Sequence, residues 1–258
     1  MNMSTIKKIA LVTGGSRGLG RDMALNLAKK GNDVIITYNS NLTEAERVVS
    51  ELAALGARAT ALQLNVGDTA GIVPFVTETL SSTLKDVYYT EKIDFLINNA
   101  GIGLLTLYTE KTSFAAVNEL INVHFKGSYF LGQYVLDYLN DCGAIVNIST
   151  GLTHIISPGY AVYASMKGAL EVLTKYQAKE LGGRGIRVNI VAPGAIETDF
   201  GGGVVRDNAE VKRQIASITA LGRVGLPTDI GSVVAFLCSD EAAWITGQRI
   251  EVSGGQQL

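Results

Sequence analysis

The sequence predicts a single α/β domain built on a doubly wound parallel sheet, with helices on both faces. Short apolar runs rich in β-branched residues alternate along the chain with helical patterns of about 10 to 20 residues. This alternation implies parallel strands that are joined by right-handed crossovers. A chain of 258 residues, 47% hydrophobic and 18% charged, is large enough for one substantial core.

The strands and helices follow one another in regular order. Apolar runs predict strands at 6–12, 33–38, 58–64, 93–97, 144–148, 186–191 and 249–252. Helices are predicted after the first strand as far as Gly31, at 43–55, 69–87 and 114–139, after 158–159, and at 227–237. In such sheets the ligand lies beyond the carboxyl ends of the strands. Residues that follow a strand are therefore the first candidates for a site.

A glycine-rich turn at 13–20 directly follows the first strand and precedes a helix. Its spacing is Gly-x-x-x-Gly-x-Gly. A strand, a glycine turn and a helix in this order aim backbone N–H groups and a helix N-terminus at a phosphate. The predicted phosphate-binding residues are Gly14, Ser16, Arg17, Gly18, Leu19 and Gly20.

The segment after the second strand carries no carboxylate. A site for NADH usually presents an acidic side chain about 20 residues past the glycines to hold the ribose hydroxyls. Here that neighbourhood holds Tyr38, Asn39, Ser40 and Asn41. Together with Arg17 this favours NADPH, because a carboxylate would repel the 2′-phosphate. The alternatives are that NADH is used, that Arg17 is a solvated charge and that the asparagines form an ordinary turn.

Small and amide-bearing residues follow three further strands. Asn65 either contacts an adenine edge or caps the next helix. The asparagines after the fourth strand either brace neighbouring strands, with small residues beside them that let a flat ring approach, or form a plain turn. A Pro-Gly turn follows the sixth strand. The predicted cofactor contacts in these segments are Asn65, Val66, Asn99, Ala100, Gly101, Pro193 and Gly194.

A phenol, an ammonium and a hydroxyl are predicted to converge near the fifth strand. Tyr163 and Lys167 are four residues apart, on one face of a helix, and Thr150 follows the strand. A tyrosine with its ordinary pKa of about 10 is a poor base at neutral pH, but a nearby cation favours the phenolate. Thr150 would then hydrogen-bond a substrate oxygen while Tyr163 passes the proton. The alternative for Tyr-x-x-x-Lys alone is an ordinary helix-surface pair.

Composition argues against several other classes of protein. A pI near 5.8 without a basic run argues against nucleic-acid binding, and no apolar run approaches the length of a membrane span. Cys142 and Cys238 are isolated, so no disulfide and a cytoplasmic location are expected. His124 and His154 have no Cys or carboxylate at ligand spacing, so we expect surface or core roles for them and no metal.

Taken together, these motifs resemble the short-chain dehydrogenase/reductase family in its single-domain, Rossmann-type form, over about Lys7 to Gly255. Four motifs stand in the family's order and spacing: Thr13-Gly14-x-x-x-Gly18-x-Gly20, Asn98-Asn99-Ala100-Gly101, Tyr163-x-x-x-Lys167 and Pro193-Gly194. The resemblance implies an enzyme whose catalytic residues are Asn122, Thr150, Tyr163 and Lys167.

The resemblance also implies a role for individual residues. Tyr163 would be the general acid/base, and Lys167 would bind the nicotinamide ribose and lower the tyrosine pKa. Asn122 would hold a water in the proton relay, or is otherwise a satisfied core amide. Ile196 and Thr198 would contact the nicotinamide amide. Relatives are commonly tetramers, so a homo-oligomer, either tetramer or dimer, is expected, with the Tyr163 helix and the long helix before it packing across an interface.

Three positions depart from the family's pattern. The family usually has serine thirteen positions before the tyrosine, where this chain has Thr150. Because successive strand residues face opposite ways, Ser149 should face away if Thr150 faces the site. Asn65 and Ser253 stand where the family commonly has aspartate, which affects adenine binding and the C-terminal turn but not the fold.

The expected function is reversible hydride transfer between NADPH and the carbonyl of a small, mostly apolar substrate. Residues 199–208, within a substrate lid near 195–220, are expected to be the most mobile part of the domain. The residues expected to line the pocket with this segment are Gly103, Leu104, Leu105, Leu152 and Tyr160.

Two alternative functions remain: one has a protein-bound substrate, and the other has no catalytic activity. The 3-oxoacyl-acyl-carrier-protein reductases are similar, but they need positive charge for an acidic carrier protein. Residues 138–144 carry no Lys or Arg, although Arg184 is compatible, so a free small molecule is favoured. A non-catalytic NADP(H)-binding regulatory module would keep the fold without turnover, and only the threonine at position 150 supports it.

Overall fold

The computed structural model describes residues 7–258 and contains a seven-stranded sheet in the order β3-β2-β1-β4-β5-β6-β7. Every neighbouring pair of strands is parallel. The strands are β1 Ile9–Val12, β2 Asp33–Tyr38, β3 Ala59–Gln63, β4 Ile93–Asn98, β5 Leu139–Ile148, β6 Arg187–Pro193 and β7 Arg249–Val252. The predicted fold class is confirmed; residue 6, the predicted start of β1, lies outside the described residues.

Helices cover both faces of the sheet, as predicted. They span Gly18–Lys29, Leu42–Ala54, 72–88, 114–135, Ala161–Leu181, Val204–Asp207, Ala209–Ser217 and Gly231–Leu237. Side chains alternate along β1, so that Ala10 and Val12 join the core on one face and Ile9 and Leu11 join the core on the other. No helix within 7–258 is both long and apolar enough to cross a membrane.

The helix predicted at 114–139 ends earlier than expected. Regular helix stops at Val135, one tighter turn follows at Leu136–Tyr138, and Leu139 already pairs with Ile93. The register between β4 and β5 then shifts before Phe95 pairs with Ala144. The apolar side chain of Leu139 is fully buried in this pairing, which explains why its periodicity looked helical in the sequence.

The long helix at 114–135 contains a wider, π-helical segment at Ile121–Lys126. There the N–H of Gly127 donates to the carbonyl of Asn122, five residues back. Such segments rotate the following side chains relative to a regular helix and occur frequently at functional sites.

The predicted lid folds into short helical pieces. A turn at Phe200–Gly203 has left-handed backbone at Gly201 and Gly202, with φ of 61° and 77°. Asn208 then caps Ala209–Ser217 by accepting hydrogen bonds from two backbone N–H groups. That this segment moves as a lid remains a prediction.

Candidate active site

The loop after β1 requires glycine because its backbone segments approach one another closely. Gly14 has φ of +64°, and a Cβ on Gly20 would collide with the carbonyl of Gly14. The loop is held from β2, because the Gly15 N–H donates to the Thr37 carbonyl over 2.9 Å and the Gly14 N–H to the Thr37 hydroxyl over 3.2 Å. The helix Gly18–Lys29 can therefore begin directly against the sheet edge.

The N-terminus of this helix fits a phosphate group. Arg17 is the N-cap and its side chain makes no capping hydrogen bond, and the first turn carries no acidic residue. The first N–H groups of the helix are thus left for an anion, which the helix dipole also favours. The loop and helix fit the pyrophosphate of a dinucleotide. Its predicted members Ser16, Gly18 and Leu19 are half-buried at this edge.

The end of β2 has exposed neutral side chains. Asn39 and Ser40 are exposed, and Tyr38 is half-buried. Asn41 is used structurally, since its side chain accepts from the Glu44 N–H over 3.1 Å and caps the next helix. Arg17 reaches over the glycine loop instead and lies 3.8 Å from the carboxylate of Asp199, with 72% of its side chain exposed.

Asn65 shapes the turn after β3. Its side-chain oxygen accepts from the Gly67 N–H over 2.9 Å, while the next helix begins only at Ile72. The residue is exposed, and the side chain of Val66 next to it is buried. Asn65 therefore does not cap that helix directly, and its role toward adenine remains a prediction.

Thr13, the first residue of the glycine motif, joins the glycine loop to the turn after β4, a role that the sequence did not predict. Its hydroxyl accepts hydrogen bonds from the N–H groups of Asn99 and Ala100 over 2.9 and 3.0 Å. The side chain of Asn99 donates to the Thr13 carbonyl over 2.8 Å. Asn98 braces β5, since its amide donates to the side chain of Asn147 over 2.9 Å. The bracing expected of these asparagines is therefore present in the structure.

Tyr163, Lys167 and Thr150 come together at the carboxyl end of β5. All three are buried, with 7%, 4% and 8% of their surface exposed. The Lys167 ammonium donates to the Ile148 carbonyl over 2.6 Å and lies 5.8 Å from the centre of the Tyr163 ring. The predicted convergence is present, and the helix-surface alternative does not describe this pair.

Burial dominates the electrostatics of these groups. It raises the pKa of the Tyr163 phenol, which the nearby Thr150 hydroxyl opposes only in part and Tyr160 reinforces. Burial also lowers the pKa of Lys167 to about 8. The expected lowering of the Tyr163 pKa by Lys167 is thus not seen here, because desolvation by burial dominates both groups.

Ser149 faces away from the site, as strand alternation required. Its hydroxyl donates to a carboxylate oxygen of Glu171 over 2.6 Å, and Glu171 also pairs with Arg249 at 2.8 Å. Because the two hydroxyls lie on opposite faces, Thr150 is the one that meets Tyr163.

His124 is the site neighbour that the sequence reasoning missed. Its ring is 1% exposed and stands edge-on to Tyr163, with ring centres 5.1 Å apart and planes at 83°. Asn122 is two residues away on the helix, which places the two side chains on different faces. The side chain of Asn122 has no hydrogen bond to any residue in 7–258, and its relay role remains a prediction. The contact depends on how two helices cross, so no pattern in the sequence signals it.

The turn after β6 packs on the C-terminal turn. Pro193 is the last residue of β6, and the Gly194 N–H donates to the Val252 carbonyl over 3.1 Å. Ile196 forms a bridge with Gly225, and the methyl group of Thr198 faces Gly18 across the edge of the sheet. Of the two predicted nicotinamide contacts, Thr198 thus lies beside the glycine loop, and Ile196 lies against Gly225.

The predicted pocket segments also meet. The Phe200 ring lies 5.3 Å from the ring of Tyr163, centre to centre, and packs closely on Gly103, where a Cβ would be 3.2 Å from the ring. Leu105 packs on Gly159, whose carbonyl accepts from the Thr106 N–H over 2.9 Å. A cavity of about 530 Å³ adjoins Tyr160; its lining is Leu107, Tyr108, Thr109, Leu152, Thr153, Ile156, Ser157, Pro158, Gly159, Tyr160, Ala161, Ala164, Ser165 and Gly168.

The site has no grouping typical of a metal centre. In the part of the chain that the structure describes, no three His, Cys, Asp or Glu side chains converge to hold a metal ion. The nucleotide-binding loop, the buried Tyr-Lys pair and the hydroxyl instead share one edge of a parallel sheet. This fold and this site define a dinucleotide-binding oxidoreductase of the Rossmann type.

Comparison with known proteins narrows that class. The chain matches the family described as Enoyl-(Acyl carrier protein) reductase over residues 14–257. It is 38% identical over 256 residues to the 3-oxoacyl-[acyl-carrier-protein] reductase FabG of Staphylococcus aureus, a match that covers 97% of this chain and 98% of that protein. The chain belongs to the short-chain dehydrogenase/reductase family and is an oxidoreductase of that family.

Two solved structures are similar over almost the whole chain. The promiscuous reductase LugOII, which catalyses keto-reduction at C1 during lugdunomycin biosynthesis, has a TM-score of 0.91 at 36% identity and covers 99% of this chain and 100% of its own. The angucycline C-6 ketoreductase LanV with bound NADP has a TM-score of 0.91 at 34% identity, covering 98% and 96%.

Proposed function

We propose that the protein is an NADPH-dependent ketoreductase that acts on a free, mostly apolar carbonyl compound. The observation that carries this proposal is the buried grouping of Tyr163, Lys167 and Thr150 at the same sheet edge as the glycine loop. The names of LugOII and LanV describe those two proteins as ketone reductases, which supports the same reaction class for this chain.

The residues of the chain supply proton transfer and orientation. The dinucleotide supplies the hydride that the carbonyl carbon accepts. Tyr163 gives its proton to the carbonyl oxygen, so its O–H bond breaks as the alcohol O–H forms. Thr150 donates a hydrogen bond to the same oxygen, and the charge on Lys167 stabilises the phenolate that Tyr163 becomes. Phe200 excludes water from the phenol.

The choice of NADPH rests on the charges near β2. The exposed neutral side chains of Asn39 and Ser40 offer hydrogen bonds, and no carboxylate stands among residues 38–41 to repel a 2′-phosphate. Arg17 is exposed, and its ion pair with Asp199 is a weak surface contact. Its guanidinium is therefore able to turn to a phosphate. LanV carries bound NADP, in line with this choice.

The cavity beside Tyr160 and the contacts of Arg184 favour a free, apolar substrate. The cavity beside Tyr160 is lined mostly by apolar groups and accommodates the body of a hydrophobic ketone. Arg184 is held internally: its guanidinium pairs with Asp141 at 2.7 Å and donates to the carbonyls of Leu136 and Leu139. The Arg184 guanidinium is therefore poorly placed to bind an acidic carrier protein. The 38% identity to FabG keeps 3-oxoacyl-acyl-carrier-protein reduction as the second candidate.

A homo-oligomer is proposed from exposed apolar side chains on two adjacent helices. Tyr129 and Tyr134 lie on the helix 114–135, and Val172 and Tyr176 on Ala161–Leu181, where they are 37%, 40%, 55% and 64% exposed. Sedimentation equilibrium measures the mass, and a monomer at micromolar concentration would contradict this proposal.

Oxidation of NADPH by the purified protein tests the function. A panel of aliphatic and polycyclic ketones is compared with a 3-oxoacyl-acyl-carrier protein and with the same acyl group on N-acetylcysteamine. We expect turnover of free ketones and no advantage for the carrier-bound thioester. Strong preference for the carrier would establish the second candidate. Tight NADPH binding without reduction of any carbonyl would instead indicate a regulatory module.

The variant Tyr163→Phe serves as the control for that assay. It removes only the proton donor, so we expect turnover to fall by about 10²–10⁴-fold with NADPH affinity retained. An unchanged rate would exclude Tyr163 as the acid.

A further inference from the structure

A cluster of polar side chains flanks Thr150 in the chain. One carboxylate oxygen of Glu171 accepts hydrogen bonds from three donors: the Ser149 hydroxyl at 2.6 Å, the Thr153 hydroxyl at 2.8 Å and Nε of Arg249 at 2.8 Å. The side chains of Glu171 and Arg249 are largely buried, with 15% of each exposed. Because Ser149 and Thr153 stand on either side of Thr150, the cluster holds both ends of the segment that contains it.

The Glu171 carboxylate is charged in this cluster. Burial alone would raise its pKa, but the hydrogen bonds from Ser149, Arg249 and Thr153 outweigh burial and keep the pKa of Glu171 below its usual range. The contact with Arg249 is therefore a true ion pair at neutral pH, and each hydrogen bond to the carboxylate is charge-assisted.

The Arg249 guanidinium connects this cluster to the backbone of Thr150. Its Nε bonds Glu171, and its Nη1 donates to the carboxylate of Glu251. The remaining nitrogen, Nη2, donates to the Thr153 hydroxyl over 3.1 Å and to the Thr150 carbonyl over 3.3 Å. Because the guanidinium is a rigid plane, the two carboxylates fix the direction in which Nη2 points.

Arg249 is a distinctive partner of the Thr150 carbonyl. Within residues 7–258 that carbonyl otherwise accepts only from Thr153, whose N–H lies 3.4 Å away and whose hydroxyl lies 3.1 Å away. The single proton of the hydroxyl serves one acceptor, and the charged oxygen of Glu171 is nearer, at 2.8 Å. Among the described residues, Arg249 is thus the one charged donor to this carbonyl, and it comes from a different strand, β7.

The backbone of Thr150 determines where its hydroxyl points. The residue is extended, with φ of −160° and ψ of 151°, and the chain turns directly after it at Gly151–Thr153. The Thr150 hydroxyl accepts from the Leu152 N–H over 3.3 Å, which leaves its own proton to be donated to an oxygen in the site. A displacement of the turn would therefore redirect that proton.

We propose that Arg249 is a positioning residue for Thr150: from β7 it holds the Thr150 carbonyl and the following turn, and so fixes the direction in which the Thr150 hydroxyl donates to the substrate oxygen. This inference rests on the proposed function, in which Thr150 donates that hydrogen bond. Glu171 and Glu251 act through Arg249, because they orient its guanidinium. The contribution is to the orientation of a donor, which matters most in the transition state.

A double-mutant cycle between Arg249 and Thr150 tests the proposal. We expect Arg249→Met to lower kcat about tenfold, with the KM for the ketone little changed, because a displaced donor loses most of its effect in the transition state. Thr150→Val has no hydroxyl to position, so the further change Arg249→Met should lower its kcat by about twofold or less. The substrate is the ketone of the panel above that wild type reduces fastest.

Arg184→Met is the matched control. Arg184 also pairs with a carboxylate, that of Asp141, and donates to the carbonyls of Leu136 and Leu139, but it does so at the other end of β5. We expect this variant to lower the free energy of unfolding without lowering kcat. It thereby separates the loss of an arginine–carboxylate pair from an effect on Thr150.

Hydrogen exchange provides a readout that does not depend on turnover. The N–H groups of Leu152 and Thr153 donate to Thr150, and those of His154 and Ile155 donate to the Gly151 carbonyl. We expect these amides to exchange faster in Arg249→Met than in wild type and in Arg184→Met. If wild type reduces no carbonyl, the proposed function fails, while this measurement still decides whether Arg249 holds the turn.

Three results would overturn the proposal. The first is a kcat of Arg249→Met within about twofold of wild type, and the second is that the two losses multiply in the double variant, as independent effects do. The third is equal exchange of the turn in wild type and Arg249→Met. If thermal melting shows that Arg249→Met does not fold, Arg249→Lys replaces it in the cycle, because one ammonium keeps the charge but cannot occupy the positions of both Nε and Nη2.

Discussion

The guanidinium of Arg17 and the carboxylate of Asp199 form an ion pair of 3.8 Å that joins the glycine loop to the segment after β6. Asp199 also pairs with Arg206, so its carboxylate is shared between two cations. The residue proposed to receive the 2′-phosphate of NADPH is thus held by the predicted lid. If Arg17 receives this phosphate, we expect cofactor binding and the position of residues 199–208 to be coupled through this contact.

Removal of the carboxylate should strengthen NADPH binding. We expect Asp199→Asn to lower the Kd for NADPH by up to about fivefold, because an exposed ion pair contributes ~0.2–1 kcal/mol. The Kd for NADH should not change, since NADH has no 2′-phosphate. Isothermal titration at low salt measures both. Asp207→Asn, which removes a carboxylate that pairs with Arg206 alone among residues 7–258, is the control; equal tightening of NADPH and NADH would contradict the coupling.

Substitutions at the adjacent residues Thr150 and Ser149 should have different effects: the first should lower kcat and the second should lower stability. Thr150→Val keeps the shape of the side chain but loses the hydrogen bond to the substrate oxygen, so we expect kcat to fall by about 10²–10³-fold. Thr150→Ser should remain active.

The neighbouring substitution tests the other face of the strand. Ser149→Ala loses a hydrogen bond to the Glu171 carboxylate and should cost about 1.5–3 kcal/mol of the free energy of unfolding, with kcat little changed. Urea unfolding and steady-state kinetics measure the two effects. The reverse pattern, with activity lost in Ser149→Ala and kept in Thr150→Val, would exchange the roles.

The buried lysine should make stability depend on pH above neutrality. Burial lowers the pKa of Lys167 from 10.5 to about 8, so in this window the unfolded chain binds a proton that the folded protein has released. The free energy of unfolding attributable to Lys167 therefore rises as the pH goes from about 8 to 10.5. The raised pKa of Tyr163 acts in the opposite direction only above about pH 10.

Comparison with Lys167→Met isolates this dependence. Chemical unfolding at pH 7, 8, 9 and 10 should show wild type gaining stability relative to the variant as the pH rises. A difference that stays constant across this range would show that the lysine has an ordinary pKa in the folded protein.

Phe200 should control the ionisation of the phenol. Its ring shields Tyr163, so Phe200→Ala should admit water and move the Tyr163 pKa down toward its usual value near 10. Ultraviolet difference titration against the same variant with Tyr163→Phe measures this pKa. Phe200→Leu, which keeps an apolar cover, should change it less; equal pKa values in all three proteins would show that the lid does not shield the phenol.

The local sequence pattern predicted where the strands end and which functional side chains follow them. β2 was predicted at its observed bounds, and the period of two along β5 correctly placed Ser149 and Thr150 on opposite faces. Both results depend only on neighbouring residues. Parallel pairing then brought the glycine loop and Tyr163 to one edge without further information.

The features that were missed depend on distant parts of the chain. His124 meets Tyr163 because two helices cross at that point, and the Tyr163 pKa rises because several elements bury the phenol. Leu139 is in a strand and not in the preceding helix because it pairs with Ile93 of β4. Burial and helix crossing are set by tertiary packing, which the order of residues in a single segment does not encode.

The hydroxyl of Thr13 has one further consequence. It donates to the Ile97 carbonyl and accepts from two N–H groups of the turn after β4, so a single oxygen atom joins the glycine loop to that turn. Only serine could replace Thr13 and still accept hydrogen bonds from the N–H groups of Asn99 and Ala100 while donating to the Ile97 carbonyl. A combinatorial library randomised at this codon should therefore return just two amino acids among its working clones.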